Sequence, residues 1–217
     1  AADFLKAYRD SGAGELDLGP RERMRTALSL TAGKEIPEQE FDIWEQETAL
    51  DRWARGVQWT GGTTPKAAKD FRVAVIGTGI SGLNTAVQLK RAGIPFVVFE
   101  KNPEVGGSWY ENRYPGARVD TPSRGYTHLF AYDYPFNWGY SPRDINMKYF
   151  KWIADNFEIR ENIEFETEVL KMVWDDEAKV WSLGIQGPSG ASSETFNAVI
   201  SCVGFLSRPQ VPDIEGL

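Results

Sequence analysis

The run FRVAVIGTGISGLNTAVQLKRAGIPFVVFEK, residues 71–101, leaves this chain few folds to choose from. Residues 71–76 are apolar and rich in β-branched side chains, as a strand buried on both faces requires. Gly77, Gly79 and Gly82 follow in G-x-G-x-x-G spacing. Gly77 permits a tight turn out of the strand, Gly79 lets a diphosphate approach the backbone, and Gly82 lets the next helix pack closely. That helix would point unpaired N–H groups and its positive dipole end at the phosphates. Leu83, Ala86, Val87 and Leu89 give it an apolar face, and Gly93 and Pro95 stop it. Phe96–Phe99 is the next parallel strand, ending in Glu100. An acid roughly 20 residues past the glycines accepts hydrogen bonds from a ribose hydroxyl and repels a 2′-phosphate. The spacing therefore predicts a site for FAD or NAD and not for NADP. A chance glycine triplet in a turn would lack the ordered strand, helix, second strand and acid.

Residues 106–120, GGSWYENRYPGARVD, add what the glycine run lacks. Glycines at 106 and 107 allow close backbone approach to a ligand. Trp109, Tyr110 and Tyr114 offer flat apolar surface for a ring system. The stretch resembles the type I Baeyer–Villiger monooxygenases, which carry G-G-x-W-Y-x-N-R-Y-P-G-A-R-x-D at this place after their first glycine fingerprint. Tyr126, six residues after Asp120, also falls where that family has a tyrosine. The resemblance covers residues from about 70 to 217. The N-terminal extension and the stretch VGFLSRPQVP look most like the 4-hydroxyacetophenone monooxygenase branch.

The resemblance implies an α/β fold: a Rossmann-like FAD-binding domain, a parallel sheet with a β-meander, preceded by a helical N-terminal extension. It implies that Gly77, Gly79, Gly82 and Glu100, with Lys101 beside it, hold the FAD diphosphate and adenosine ribose. Gly107, Ser108 and Trp109 would line the flavin. Asp120 would sit near the isoalloxazine as the catalytic carboxylate, beside an arginine that activates a peroxyflavin, with Tyr126 packed nearby. For Arg118 a structural salt bridge is the better expectation. A turn or cap carboxylate is the competing role for Asp120, since Thr121-Pro122-Ser123 has turn chemistry. The whole enzyme would use NADPH, FAD and O2 to convert a ketone, an aryl ketone in the branch named, to an ester or lactone. A related N- or S-hydroxylating flavin monooxygenase is the alternative. A disulfide reductase would want a cysteine pair, and Cys202 is alone.

Net charge of −7 and a pI near 4.9 argue against nucleic acid or an anionic membrane as partner. No run approaches a membrane span. A single cysteine suits a reducing, cytoplasmic setting. Cys202 lies in the apolar run AVISCVG and is expected as a small core residue. His128 is the one histidine, so no metal site is expected, and a structural role is predicted for it.

Three segments are expected: a helical extension over 1–59, a linker over 60–70 of composition TGGTTPKAAKD, and the FAD-binding portion over 71–217. Helices are predicted over Arg21–Leu30 and Glu38–Arg55, the second with Phe41, Trp44, Ala49 or Thr48, and Trp53 near one face. Trp44, Trp53 and Trp59 would pack on the main domain or on a second subunit, and the resembled branch uses its extension in a homodimer. Met147, Phe150, Ile153, Ala154 and Phe157 predict one further helix face. A strand is predicted over 163–169, a hairpin over 170–186 around Asp175–Lys179, a polar turn over 186–193 and a final strand over 195–203. The acidic residues of this region, Asp175-Asp176-Glu177 among them, read as solvated faces. Cys202-Val203-Gly204 and Arg143-Asp144 depart from the family pattern, and no role is assigned to either.

The family carries F-x-G-x-x-x-H-x-x-x-W after a segment like VPDIEGL, where these residues stop. A second glycine fingerprint for NADPH and the peroxide-activating arginine have no candidate here. The expectation is an N-terminal part of a larger enzyme, processed or trimmed before Ala1. The 217 residues alone would then be a noncatalytic flavin-binding or self-associating module.

Overall fold

The computed structural model describes residues 2–12, 19–48, 50–207 and 210–216. Ala49 of the second predicted helix, and Arg208 and Pro209 of the VGFLSRPQVP stretch, lie outside them. Contacts divide the chain into two compact units, residues 1–55 and 56–217.

The first unit is helical: α1 (Ala2–Asp10), α2 (Arg21–Ala32) and α3 (Glu38–Glu47). Gly33, at φ 67°, closes α2 with a left-handed cap. Ile36 and Phe41 are fully buried. Arg21 reaches from α2 to Asp42 on α3 at 2.7 Å and lies over the Phe41 ring. Helix α3 stops eight residues before Arg55, the expected end. The cause is local: the Thr48 hydroxyl donates back to the Glu45 carbonyl, and Asp51 accepts from the Trp53 amide. Such side-chain bonds offer the backbone an alternative to the helix ladder.

The second unit opens with a short helix, α4 (Lys66–Lys69). The expected parallel sheet follows: β1 (Val73–Ile76), α5 (Ile80–Ala92), β2 (Phe96–Phe99), the short α6 (Ser108–Glu111), α7 (Arg143–Asn156) and β3 (Ile163–Glu164). A three-stranded antiparallel meander is inserted next: β4 (Glu168–Asp175), β5 (Val180–Gly187) and β6 (Gly190–Phe196). Strand β7 (Ala198–Ser201) then returns to the sheet, whose order is β3-β2-β1-β7, all parallel.

Strand alternation sorts the core into two layers. Ala74 and Phe99 meet Leu183, Ile185 and Phe196 of the meander, with Phe99 edge-on to Phe196 at 5.8 Å. Val73, Val75, Phe96 and Val98 are also buried, and α5 packs on β1 and β2 with Leu83, Ala86 and Val87 buried. Trp59 and Thr64 tie the chain before β1 to the C-terminal end of α5, both donating to the Ala92 carbonyl at 2.9 and 2.8 Å.

Two predicted strands are each split between sheets. Residues 163–169 break at Glu166, which takes φ 53°, so β3 ends in the parallel sheet and β4 begins in the meander. The Glu166 and Thr167 amides donate to the Asn102 and Glu100 carbonyls there. The run 195–203 breaks at Asn197, whose side chain accepts from the Arg72 amide while its own amide donates to the Arg72 carbonyl. Alternating polarity marks extended chain but does not reveal a change of sheet. The expected hairpin is β4–β5, and the polar turn narrows to residues 188–189.

Candidate cofactor site

The C-terminal ends of the parallel strands converge on the glycine turn. The Gly77 amide donates to Phe99, Cys202 to Ile76 and Glu100 to Glu164, so the turn is stitched to β2 and to the segment after β7. In open parallel α/β sheets this is the end where ligands bind. Gly77 takes φ 96°, which disfavours any side chain. A methyl group at Gly82 would lie 1.8 Å from the Gly77 carbonyl oxygen, so the first turn of α5 rides directly on the loop.

Gly107 sits at φ 49° with its backbone against Gly79; a Cβ there would fall 2.7 Å from the Gly79 Cα. The two glycines that the sequence assigned to separate motifs thus meet backbone to backbone. They form a seat bare of side chains beside the N-terminus of α5, where the first N–H groups have no intrahelical acceptor. A Cβ on Gly107 would collide with the Gly79 backbone, so both positions must stay free of side chains, and bare backbone beside a helix N-terminus fits an extended diphosphate.

Glu100 is 3 % exposed and Thr78 1 %. One carboxylate oxygen accepts from the Thr78 amide at 2.9 Å and from the Thr78 hydroxyl at 2.5 Å. The other accepts from the Asn102 amide at 2.8 Å. Lys101, next along, points to Glu111 at 2.8 Å.

The second motif forms a more open wall. Ser108 begins α6 and is exposed. The Trp109 indole N–H donates to the Tyr126 hydroxyl at 3.1 Å, with the rings edge to face at 5.9 Å. Burial pushes the Tyr126 hydroxyl's pKa up, against the Trp109 bond, and the charge of Asp120 adds to the rise. Asp120 is itself exposed. Arg118 lies over the Trp138 ring. It lines, with Arg113 and Arg143, a cavity of about 330 Å³.

Two contributors were not assigned a site role from sequence. Arg143 donates through Nε to the Trp109 carbonyl at 2.7 Å, holding the wall from the start of α7. Its signal was a family departure without a geometric meaning. Buried His128 bonds through Nε2 to the Ile80 carbonyl in the first turn of α5, and through Nδ1 to the Tyr149 hydroxyl, both at 2.9 Å. The carbonyl can only accept, so Nε2 carries the proton and Tyr149 donates to Nδ1. The Tyr149 oxygen in turn accepts from the His128 amide and the Thr127 hydroxyl. Burial lowers the His128 pKa and pushes Tyr149 up to about 12, so both are held neutral. Half-buried Cys202 has its thiol pKa raised by burial and lies 3.8 Å from the Thr85 hydroxyl, as a packing group and not a thiolate. Among the described residues no group of three or more His, Cys, Asp or Glu could hold a metal, and no helix is long and apolar enough to cross a membrane.

Residues 75–138 match the family profile of the NAD(P)-binding Rossmann-like domain. A Baeyer–Villiger monooxygenase of Streptomyces coelicolor is 41 % identical over 147 residues, covering 67 % of this chain and 28 % of that protein. An uncharacterised monooxygenase of Sinorhizobium fredii is 33 % identical over 205 residues, covering 93 % of this chain and 29 % of its own length. The solved structure of OTEMO in complex with FAD and NADP superimposes with a TM-score of 0.62 at 28 % identity, over 68 % of this chain and 28 % of that one. The chain therefore spans just over a quarter of the relatives it matches. Through its nucleotide-binding part, the chain belongs with the Baeyer–Villiger monooxygenases.

Proposed function

We propose that this chain is the FAD-holding part of an NADPH- and O2-dependent monooxygenase that converts ketones to esters or lactones. The single observation that carries the proposal is the meeting of Gly79 and Gly107, which joins the dinucleotide fingerprint to the family's second motif in one bare-backbone seat. When bound, FAD would accept hydride from NADPH and pass oxygen to the ketone. The protein's part is to hold, orient and shield. Gly77, Gly79, Gly82 and Gly107 give the diphosphate backbone access at the α5 N-terminus. Glu100 takes the adenosine ribose, with Lys101 at the rim. Ser108, Trp109 and Tyr126 wall the ring system. Asp120 presents an exposed negative charge able to orient a cationic side chain that stabilises developing negative charge.

In support, the Sinorhizobium relative aligns over nearly the whole chain, so its match reaches into the helical unit. That unit leaves Leu30 and Ile43 exposed, which suits a homodimer contact. The proposal extends to a helical extension over 1–59, a linker over 60–70, a cytoplasmic setting and aryl ketones as substrates. The test is product analysis with the full-length protein, FAD, NADPH and either 4-hydroxyacetophenone or cyclohexanone. Ester from the aryl ketone supports both the ketone oxygenation and the aryl preference, and lactone alone removes the aryl preference. Oxygenation of an amine or sulfide, with neither ketone product, moves the chain to the alternative flavin monooxygenases.

A further inference from the structure

We propose that Thr78 is a positioning residue that sets Glu100 for the adenosine ribose, an inference that rests on the FAD assignment above. Thr78 occupies the first variable position of G-x-G-x-x-G, where only the glycines carry the fingerprint. Both residues are almost wholly buried at the strand ends. An ionised carboxylate offers about four acceptor positions. Thr78 fills both on one Glu100 oxygen, through its amide and its hydroxyl, and the Asn102 amide fills one on the other. The oxygen facing Asn102 therefore keeps the remaining acceptor position for a ligand hydroxyl. The other oxygen is fully occupied and fixes the side-chain torsions. A free glutamate would lose that rotamer freedom on binding; here it is already lost in folding.

The test compares wild type, Thr78→Val, Thr78→Ser and Thr78→Ala in the full-length protein. Dissociation constants are read by flavin fluorescence for FAD and for an FAD analogue lacking both hydroxyls of the adenosine ribose. Thr78→Val is expected to weaken FAD on the order of tenfold, the scale of freeing one long side chain. Thr78→Ser should stay within about twofold of wild type, because it keeps the donor. The Thr78→Val loss should largely disappear with the dideoxy analogue, which cannot use the prepared oxygen. A merely structural hydroxyl would cost both ligands the same factor, and that outcome overturns the proposal. Tighter FAD binding by Thr78→Val also overturns it, since the hydroxyl would then compete with the ligand for Glu100. Thr78→Ala, which removes the branched carbons as well, supplies the same comparison if the valine crowds the turn and unfolds the chain. Wild-type protein that binds neither FAD nor the analogue removes the FAD assignment itself, a result distinct from any difference among variants.

Discussion

The glycine turn and the wall after it are both parts of the candidate site, yet they are held by opposite means. The turn from Ile76 to Gly82 is over-determined by backbone. The Gly77 amide donates to Phe99, the Ile76 carbonyl accepts from Cys202, and the carbonyl of one glycine lies where another's Cβ would be. The wall from Ser108 to Tyr126 is largely exposed and is held by a few side-chain bonds, Arg143 to Trp109 and Trp109 to Tyr126 chief among them. On the proposed function, steric constraint would fix a diphosphate seat that has to be the same at every turnover. Side-chain bonds would leave the wall adjustable where, on the same proposal, the flavin ring meets substrate and oxygen.

If the contrast holds, the largest effect belongs to the turn. Gly82→Ala places a methyl 1.8 Å from the Gly77 oxygen, and backbone has no rotamer to yield. The expected cost is about 3 kcal/mol, at the upper end for overpacking, together with loss of FAD. Chemical denaturation and flavin retention measure it; a variant that melts and binds like wild type breaks the comparison. Asp120→Ala should do the reverse in the full-length protein. Flavin and melting temperature are retained while ester formation drops on the order of 100-fold, as for loss of a transition-state electrostatic contact. Undiminished ester formation would remove Asp120 from the site.

A smaller effect lies on the link between the two regions. Tyr149→Phe strands His128 Nδ1 and the His128 amide, and should cost about 1–3 kcal/mol. The pH dependence has a definite sign. The folded pKa of His128 lies below its unfolded value, so neutral histidine favours the fold. That contribution is complete above the unfolded pKa of about 6.5 and is lost as pH falls through the lower, folded value. Thermal melts from pH 7.5 to 4.5 should show a decline in wild type that His128→Gln lacks. Parallel curves would mean that His128 does not titrate differently on folding.

The sequence made the turn legible because its constraints are local. A strand, three spaced glycines and an acid lie within one βαβ unit, and each has a steric reason visible in the residue itself. The α/β class and the sheet-plus-meander plan followed from the same run and its family likeness. Less was legible where a residue's partner is distant in sequence. Nothing local shows that Gly107 meets Gly79, or that His128 reaches Ile80 across 48 positions. The strand breaks at Glu166 and Asn197 are of the same kind, since both depend on bonds to other segments. Thr78 is not legible, because a variable position in a glycine motif carries no pattern, though its hydroxyl is the shortest contact that Glu100 makes.

Arg143 offers the finest test of the contrast, because it touches the wall alone. Its Nε bond to the Trp109 carbonyl at 2.7 Å is part-buried, whereas its ion pair with exposed Asp144 adds little. Arg143→Met keeps the length of the side chain and removes the donor. The expected loss is about 1 kcal/mol of stability, the net worth of one hydrogen bond. With Trp109 less constrained, ketone kcat/KM should fall roughly fivefold, since a factor of ten corresponds to about 1.4 kcal/mol. FAD affinity should stay within about twofold, because Gly79, Gly107 and Glu100 do not depend on this bond for their geometry. Flavin affinity falling in step with kcat/KM would show that wall and turn are one mechanical unit, and that the two means of support are not separable.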